Sequence, residues 1–547
     1  MTAKRGEIRR AAKERLGFER LRPGQLEAVD AIVAGRDVLV VMPTGAGKSA
    51  IYQLAGLLIE GPTVVVSPLV ALQRDQVESI EEAEIADAAQ LNSSVRESER
   101  RASLEEFDAG ELEFLFLAPE QLAANEMLGR LRSAQPSLFV VDEAHCITEW
   151  GHDFRPEYLR LGAVVEALGH PPVLALTATA SPLVREEIVE RLGLRDPLVV
   201  AHGFDRPNIW LGVERFDHPD EKTAALVERV RESAKPGIVY TATRRRAEEL
   251  ATALREHAVE ARAYHAGLRD RHRDEVQQAF MEDRIETVVA TVAFGLGIDK
   301  PNVRFVFHHE PSDSVDSYYQ EIGRSGRDGQ EARAILFYRS QDLGLRRFFS
   351  GGGRVDADDI EHVAAVVEAE DGDSLRPDEV ARRTGLSLAK AEAALSRLEE
   401  VDAVEFDASG AAETADGGAG EEAANEAARA EDRHREFERT RVEMMGAYAE
   451  TRDCRRRYLL NYFGEELADP CGFCDNCEAG RSSEQDAEAL PFALGSRVRH
   501  PKWGEGAVQR YEADTIVVRF DEVGYRTLAL PLVLDSGLLE PASPEQR

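Results

Sequence analysis

A glycine-rich run with one lysine has the clearest chemical meaning in the sequence. Residues 43–49 read Pro-Thr-Gly-Ala-Gly-Lys-Ser and follow the apolar run Val38–Val41, although Met42 replaces the first glycine of the strict phosphate-loop pattern. The N–H groups of such a loop can surround phosphate oxygens at a helix start. Lys48 would neutralise the β- and γ-phosphates, and Ser49 would be a Mg²⁺ ligand. The predicted nucleotide-binding residues here are Thr44, Gly45, Ala46, Gly47, Lys48 and Ser49.

Two adjacent carboxylates supply the second part of a phosphoryl-transfer site. Asp142 and Glu143 follow the apolar run Leu138–Val141. In this role Asp142 holds Mg²⁺, and Glu143 orients or deprotonates the attacking water. A carboxylate pair at a strand end is usually only a surface feature. Together with the lysine loop, however, the pair predicts ATP hydrolysis.

A third candidate element carries arginines. Residues 320–329 read Gln-Glu-Ile-Gly-Arg-Ser-Gly-Arg-Asp-Gly. Arg327 is the candidate arginine finger, supported by Arg324 and assigned to the catalytic set with Gln320. Such a finger stabilises transition-state charge and accelerates the reaction by roughly 10³–10⁵-fold. The alternative is a solvated basic turn. A finger would make hydrolysis drive the opening and closing of a cleft, which is how a motor works.

Parallel sheets are the elements that would position these groups. Continuous apolar runs alternate with helical stretches through about the first 340 residues, a pattern typical of strands buried on both faces. The clearest strands are 38–41, 63–66, 138–141, 173–176, 237–240, 287–290 and 305–307. They predict an α/β fold with two similar lobes, residues 1–202 and 203–349.

Bulk properties limit the remaining interpretation. The chain has 547 residues, which suggests about three to five domains. Its 101 acidic and 67 basic residues give a net charge of −34, so a nucleic-acid contact must be a local basic track. Adaptation to high salt and a generally acidic proteome both remain open as causes. Without an apolar membrane span or secretory signal, we expect a cytoplasmic protein with no membrane partner.

Further motifs give a resemblance to a known family. Residues 16–349, including Leu-Gly-Phe at 16–18 and Arg-Pro-Gly-Gln at 22–25, resemble the RecQ branch of superfamily 2 DNA helicases. The resemblance implies two RecA-like lobes, ATP as the nucleotide, and single-stranded and duplex DNA as partners. It also implies that Gln25 hydrogen-bonds adenine, while Phe18 and Arg22 sandwich the base.

The segment 146–158 resembles the aromatic-rich loop typical of RecQ helicases. It places Trp, His, Phe and Tyr directly after the Mg²⁺ candidate. Aromatic side chains can stack on DNA bases of any sequence, at about 1–3 kcal/mol per base. Packing in a core is the alternative. The predicted DNA contacts are Ser67, Trp150, His152, Phe154 and Arg155.

Four of the five cysteines form a late cluster. Cys454, Cys471, Cys474 and Cys477 suit tetrahedral Zn²⁺, although the triplet spacing also suits an iron–sulfur cluster. The resemblance favours zinc and implies a small helical zinc domain, residues 436–480. The arginine run 455–457 either contacts phosphates or balances local acidic groups.

The other modules depart from the family pattern. A helix-turn-helix or winged-helix-like insertion is expected at 350–408, before the zinc domain and not after it, and a small packing domain is the alternative. Flexible linkers are expected at 409–435, which is acidic, and at 481–493. The end, 494–547, is expected to be a small β-barrel. It resembles the Tudor/SH3-like tail of UvrD-type helicases, which implies RNA polymerase, another protein or DNA as its partner.

The combined prediction is an ATP-dependent DNA helicase. The family implies 3′-to-5′ polarity, and the expected cofactors are ATP, Mg²⁺ and Zn²⁺ in DNA repair or recombination. One alternative is a translocase that remodels protein–DNA or transcription complexes with little unwinding. Another is a DNA-binding regulator with an inactive motor fold, which the intact Lys48, Asp142, Glu143 and Arg327 argue against.

Overall fold

The structure is a computed structural model that divides into two compact units. Met1–Gly203 with Gly352–Asp432 forms the first unit, and Phe204–Gly351 with Arg433–Arg547 forms the second. The residues that the structure describes are 2–43, 45–68, 70–92, 95–123, 125–147, 156–201, 203–294, 298–344, 355–370, 374–407, 410–415, 418–482, 491–492, 496–512, 515–521 and 523–542. Within these ranges no helix is both long and apolar enough to cross a membrane.

The first lobe is a parallel sheet with helices. Its elements are α1 (Thr2–Leu16), α2 (Gln25–Val33), β1 (Val38–Val41), α3 (Ser49–Gly56), β2 (Thr63–Val66), α4 (Val70–Glu82), β3 (Ala88–Leu91), α5 (Glu97–Asp108), β4 (Phe114–Leu117), α6 (Asn125–Ala134), β5 (Leu138–Val141), α7 (Pro156–Leu159), α8 (Leu161–Ala167), β6 (Val173–Thr177), α9 (Pro182–Arg191) and β7 (Leu198–Ala201).

The strand order of this lobe is β3-β4-β2-β5-β6-β1-β7, and each observed pairing is parallel. All residues of β1, β2, β4, β5 and β6 are buried, as expected for a sheet covered on both faces. Since β2 and β6 flank β5, and β6 also flanks β1, the loops after these strands share one edge. Ligands of open α/β sheets bind at the carboxyl ends of strands.

The second lobe repeats this plan. Its elements are β8 (Ile209–Arg215), α10 (Pro219–Glu232), β9 (Gly237–Tyr240), α11 (Arg244–Glu256), β10 (Ala261–Tyr264), α12 (Asp270–Met281), β11 (Thr287–Ala290), β12 (Phe305–His308), α13 (Val315–Ile322) and β13 (Ala332–Tyr338). The order is β10-β11-β9-β12-β13-β8 with parallel pairings throughout. The expected two parallel-sheet lobes are confirmed.

The insertion has a winged-helix-like arrangement. Three helices, α14 (Ala357–Glu368), α15 (Pro377–Thr384) and α16 (Leu388–Glu400), precede the hairpin of β14 (Val404–Phe406) and β15 (Ala412–Thr414). Gly385 ends α15 with φ +73, a left-handed conformation that suits glycine at a helix end. The two predicted short helices are therefore present, with one more helix before them.

The prediction of a flexible acidic linker at 409–435 is wrong. This stretch contains β15 and the first half of the 30-residue helix α17, Glu421–Glu450. Alanine and glutamate have high helix propensity. Ala424 and Ala427, three residues apart, are buried in the core of the insertion. The same composition that suggested a linker therefore forms a helix once one face is packed.

The rest of the second unit contains two small modules. The zinc-domain region continues with α18 (Arg455–Tyr462) and α19 (Asp475–Glu478). The last module is a five-stranded antiparallel sheet in the order β19-β18-β17-β16-β20, from β16 (Arg497–His500), β17 (Gly504–Glu512), β18 (Thr515–Phe520), β19 (Gly524–Ala529) and β20 (Glu540–Pro541), with α20 (Leu530–Ser536) after β19. This agrees with the expected small β domain.

Candidate nucleotide and zinc sites

The phosphate loop joins β1 to α3. Gly45 and Gly47 have φ +80 and +82, conformations that side chains rarely adopt, so glycine is required for this turn. Lys48 donates from Nζ to the main-chain oxygen of Met42 at 3.0 Å. That contact folds the lysine back over the loop, where a phosphate group would compete for it. Methionine at 42 does not prevent the turn, because Met42 is buried in the core.

The residues predicted to recognise adenine lie beside this loop. Gln25 donates from Nε2 to the oxygen of Gly47 at 2.8 Å and accepts from the N–H of Arg22 at 2.7 Å. Arg22 also donates to the oxygen of Gly45. Phe18 is 42% exposed and, with Arg22, lines a cavity of about 710 Å³. An exposed aromatic ring and a guanidinium on one cavity are suited to contact a planar base.

The carboxylate pair follows β5, one strand away from β1 across β6. Asp142 is partly buried, and its pKa rises to about 7 because of loss of solvation first and Glu143 second, while Lys48 acts in the opposite direction. The effect of Lys48 on this pKa shows that the lysine and the carboxylate belong to one electrostatic site. Burial also raises the pKa of Tyr52, with a further increase from Asp142.

The second carboxylate is held in an unusual conformation. Glu143 has φ +49, which is uncommon for a residue with a side chain and is often found at functional sites. Its Oε2 is buried, lies 3.3 Å from Nδ1 of His145 and accepts no hydrogen bond from any described residue. His145 Nδ1 is also 2.9 Å from the hydroxyl of Thr177. A buried carboxylate oxygen with free capacity is suited to orient a water molecule.

The donor set fits Mg²⁺. Burial penalises the charge of Asp142, and a nearby divalent cation would remove that penalty. Ser49 is at the start of α3. Asp142 raises the pKa of Tyr52 and Ser49 lowers it, so the serine and the carboxylate share Tyr52 as a neighbour. Carboxylate and hydroxyl oxygens are ligands that Mg²⁺ prefers. When bound with ATP, the ion would supply neutralisation of phosphate charge.

The arginine loop follows α13 in the second lobe. Arg324 is 4% exposed, and the Arg327 side chain is 6% exposed. Arg327 donates from Nη1 to Asp299 at 2.5 Å. Burial lowers the pKa of Arg327, Arg324 lowers it further, and Asp299 opposes both. The structure thus brings the two arginines together, whereas Gln320 on α13 is only partly buried. The solvated-turn alternative does not fit this burial.

Sequence reasoning missed the group that shapes this loop. Arg206 donates to the oxygens of Gly323 at 3.1 Å and Ser325 at 2.7 Å. Asn208 donates to the oxygen of Gly326 at 2.7 Å. The available signal was the polar residues Asp205, Arg206 and Asn208, which lie just after the boundary between the two predicted lobes.

Four of the five predicted DNA contacts lie outside the described residues: Trp150, His152, Phe154 and Arg155. Thr44 of the phosphate loop also lies outside them. Ser67 follows β2 and is 2% exposed. Its hydroxyl has no hydrogen-bond partner among the residues described, so it remains able to bind one. Ser67 therefore stays a candidate DNA contact.

The four cysteines converge. The Sγ atoms of Cys454, Cys471, Cys474 and Cys477 all lie within 4.8 Å of one another. Those of Cys471 and Cys477 are 3.8 Å apart. Four thiolates at about 2.3 Å from one zinc ion would have sulfurs about 3.8 Å apart. Backbone N–H groups also donate to these sulfurs, for example Cys477 to Cys474 at 3.4 Å. The donor set fits one Zn²⁺ ion.

The arginine run of α18 is structural. Arg455, Arg456 and Arg457 are 2%, 6% and 1% exposed, which excludes the phosphate-contact interpretation for this conformation. Arg455 binds both carboxylate oxygens of Asp475, at 2.6 and 3.0 Å. Arg456 donates to the oxygen of Ile209 on β8 at 2.7 Å. The helix beside the zinc site is therefore attached to the second lobe by buried guanidinium groups.

We expect purified protein to contain about one zinc ion per chain, because four thiolates complete a structural site. The Cys474→Ser variant should lose zinc and unfold at lower temperature, since metal binding contributes to folding. Metal analysis and thermal unfolding measure both effects. Cys146→Ser removes the fifth cysteine, which is buried outside the cluster, and should keep the zinc. An iron-containing brown protein would contradict the assignment.

The terminal β domain uses its tryptophan for packing. The Trp503 ring stacks on His500 at 4.1 Å between ring centroids and contacts Phe520 at 5.4 Å. Arg510 of the same domain places its guanidinium carbon 4.0 Å from the ring centre of Tyr458 on α18. The domain therefore packs against the zinc-domain region.

Three family models match successive parts of the chain. Residues 22–187 match the DEAD/DEAH box helicase family, 221–329 match the helicase conserved C-terminal domain, and 419–478 match the RecQ zinc-binding family. The last match starts within the stretch that was predicted to be a linker, which agrees with the helix found there. The three matches follow the order of the nucleotide loop, the arginine loop and the cysteine cluster.

Curated relatives agree with these matches. The chain is 36% identical over 463 residues to the ATP-dependent DNA helicase RecQ of Pasteurella multocida, covering 84% of this chain and 60% of that protein. It is 33% identical over 485 residues to the ATP-dependent DNA helicase RecQ of Bacillus subtilis, covering 88% and 69%. A crystal structure of the DUF1998 helicase MrfA bound to DNA has a TM-score of 0.53 at 20% identity, covering 76% and 63%, which indicates a shared fold.

Proposed function

This chain belongs to the RecQ family of ATP-dependent DNA helicases, and we propose that it couples ATP hydrolysis to 3′-to-5′ movement along DNA and to duplex unwinding. The chain spans about 60% of the length of the Pasteurella relative, so the activity is inferred from its own site. The observation that carries the proposal is the partly buried Asp142–Glu143 pair after β5, close enough to Lys48 of the phosphate loop for the lysine to lower the pKa of Asp142. We assign DNA repair or recombination as its setting.

In the proposed mechanism, each residue has a separate task. The phosphate loop binds the triphosphate through its N–H groups, and Lys48 offsets phosphate charge. Glu143 accepts a hydrogen bond from the attacking water through its open Oε2. Arg327 supplies positive charge to the transition state after leaving Asp299. The side chains of Phe18, Arg22 and Gln25 select the base.

Strand displacement tests this function. We expect ATP-dependent unwinding of a duplex with a 3′ single-stranded tail, and none of a duplex with only a 5′ tail. Fluorescently labelled substrates, including forked and blunt duplexes, measure both polarity and preference across salt concentrations. Displacement of a bound protein without strand separation would instead support the translocase alternative. Absence of DNA-stimulated ATPase would contradict both.

Two further proposals concern the partner of the terminal domain and the cellular location. We assign a protein partner, RNA polymerase or another, to the β domain 494–547, with DNA as the other candidate. Two exposed leucines of α20, Leu532 at 54% and Leu534 at 55%, support a protein contact. The cysteine site needs reduced thiols, which supports a cytoplasmic location.

A further inference from the structure

The second helix of the inserted helix-turn-helix is covered on both sides. In DNA-binding proteins of this type, the second helix leaves its outer face open to enter the major groove. Here one side of α16 packs into the core of its own module. The other side carries Glu392 and Glu399, whose charges interact with Arg160 of the first lobe. The helix therefore lies against the lobe, where a DNA groove would have to be.

Arg160 is the centre of this contact. Its guanidinium carbon lies 5.9 Å from the ring centre of Phe406 on β14, within the range of a cation–π contact. A Cβ atom added to Gly410 would be 2.0 Å from Arg160 Nη1, so the guanidinium rests directly on the glycine backbone. Gly410 also has φ +79, which favours glycine. The hairpin of the insertion thus holds Arg160 from one side.

Charges from three segments surround the same guanidinium. Glu157 comes from α7, Glu392 from α16 and Asp407 from the hairpin, with Arg376 as an opposing charge. Burial lowers the pKa of Arg160. The pKa of Glu392 is raised to about 7, first by burial and second by the charge of Glu157. Water is therefore partly excluded from the contact, which distinguishes it from a loose surface approach.

A short path leads from this contact to the carboxylate pair. Arg160 lies between α7 and α8. Two residues earlier, Tyr158 is fully buried and donates its hydroxyl to the main-chain oxygen of Asp142 at 2.9 Å. A displacement of Arg160 would therefore move Tyr158, two residues earlier, and through its hydrogen bond the main chain of Asp142.

We propose that the insertion is a brace on the first lobe, and that Arg160 is a positioning residue for Asp142 and Glu143. The module then serves the motor and does not read DNA. The brace rests on the proposed ATPase function. It explains why a winged-helix-like module can precede the zinc domain: its second helix is used for attachment to the lobe.

Two variants approach the contact from opposite sides. Arg160→Ala removes the guanidinium, and Gly410→Ala adds a methyl group where it lies. We expect each to lower the DNA-stimulated kcat for ATP about two- to thirtyfold, the usual range for coupling through packed networks. The KM for ATP should be unchanged, because the adenine and phosphate-loop residues are untouched. The double variant should be no worse than either single variant, since both remove one interaction.

Matched variants make the result specific. Arg195→Ala removes an exposed arginine of the same lobe that binds Glu166, and should leave kcat unchanged. Arg160→Lys keeps the charge but not the planar contact, and should restore kcat in part. Lys390→Ala removes a lysine of α16 that binds Asp359, and should leave DNA affinity unchanged.

The outcomes separate the brace from the proposed function. Unchanged kcat in both Arg160→Ala and Gly410→Ala, with only a lower melting temperature, would overturn the brace. Additive losses in the double variant, or lost DNA affinity in Lys390→Ala, would also overturn it. If either variant fails to fold, the kcat of Arg160→Lys is compared with that of the wild type, and an unchanged kcat would overturn the brace. A wild-type protein without DNA-stimulated ATPase would contradict the proposed function itself.

Discussion

Replacing Lys48 with alanine is expected to abolish DNA-stimulated ATP hydrolysis and to leave DNA binding intact. The lysine Nζ is held at the phosphate loop by Met42 and shares an electrostatic site with Asp142. Loss of a preorganised charge that stabilises a transition state costs at least about a hundredfold in kcat. A phosphate-release assay measures turnover, and fluorescence anisotropy with labelled single-stranded DNA measures binding.

A second lysine of the same lobe provides the control. Lys13 is exposed on α1 and binds only Glu19 among the described residues, at 2.9 Å. The Lys13→Ala variant should therefore retain turnover. Retained hydrolysis in Lys48→Ala would refute the assignment of the phosphate loop, whereas loss of DNA binding there would show that the loop also shapes the DNA site.

The parts of the site that were predictable from sequence are those encoded by contiguous residues. The phosphate loop and the Asp142–Glu143 pair each follow a short apolar strand, so their local order reveals both the element and its chemistry. Cysteine spacing similarly predicted a four-thiolate site. For the phosphate loop and the carboxylate pair, the decisive information lies within about ten residues of the chain, which is a range that strand and turn patterns cover. The cysteines span residues 454–477, and their residue type identifies them across that longer segment.

The missed helix shows what composition cannot supply. Glycines at 417, 418 and 420 and many acidic residues suggested a linker. The helix Glu421–Glu450 is stabilised by burial of Ala424 and Ala427 and by a buried ion pair between Glu431 and Arg397, at 3.0 Å. Arg397 is 34 residues away from Glu431 in sequence, so a local pattern could not identify this partner.

The arginines show the same limit for charged residues. A sequence cannot distinguish a phosphate-binding arginine from a buried one, because the deciding partners are distant. Arg455 needs Asp475, and Arg456 needs the main chain of β8. Arg206, which shapes the arginine loop, acts on carbonyl groups more than 110 residues away. Main-chain acceptors leave no trace in side-chain patterns.

The Arg327→Ala variant is expected to lower kcat for ATP by roughly 10³–10⁵-fold, the contribution of an arginine finger. Its Nε is buried and has no hydrogen-bond partner among the described residues, and burial lowers its pKa. Asp299 pairs with one side of the guanidinium and leaves Nε unsatisfied, so an anionic phosphate would stabilise the arginine further. Turnover at saturating ATP and DNA measures the effect, while KM should change much less.

The Arg327→Ala substitution should change the stability of the fold little, so a lower kcat can be attributed to catalysis. Its partner Asp299 is 82% exposed, so the carboxylate left behind is solvated and the fold loses little. Arg333→Ala, in the same lobe, removes an arginine that lies over Trp210 at 5.2 Å and should retain turnover. Asp299→Asn should have a smaller effect than Arg327→Ala, because it frees the guanidinium without removing it. Full turnover in a folded Arg327→Ala protein would assign the finger to another residue, with Arg324 next in line.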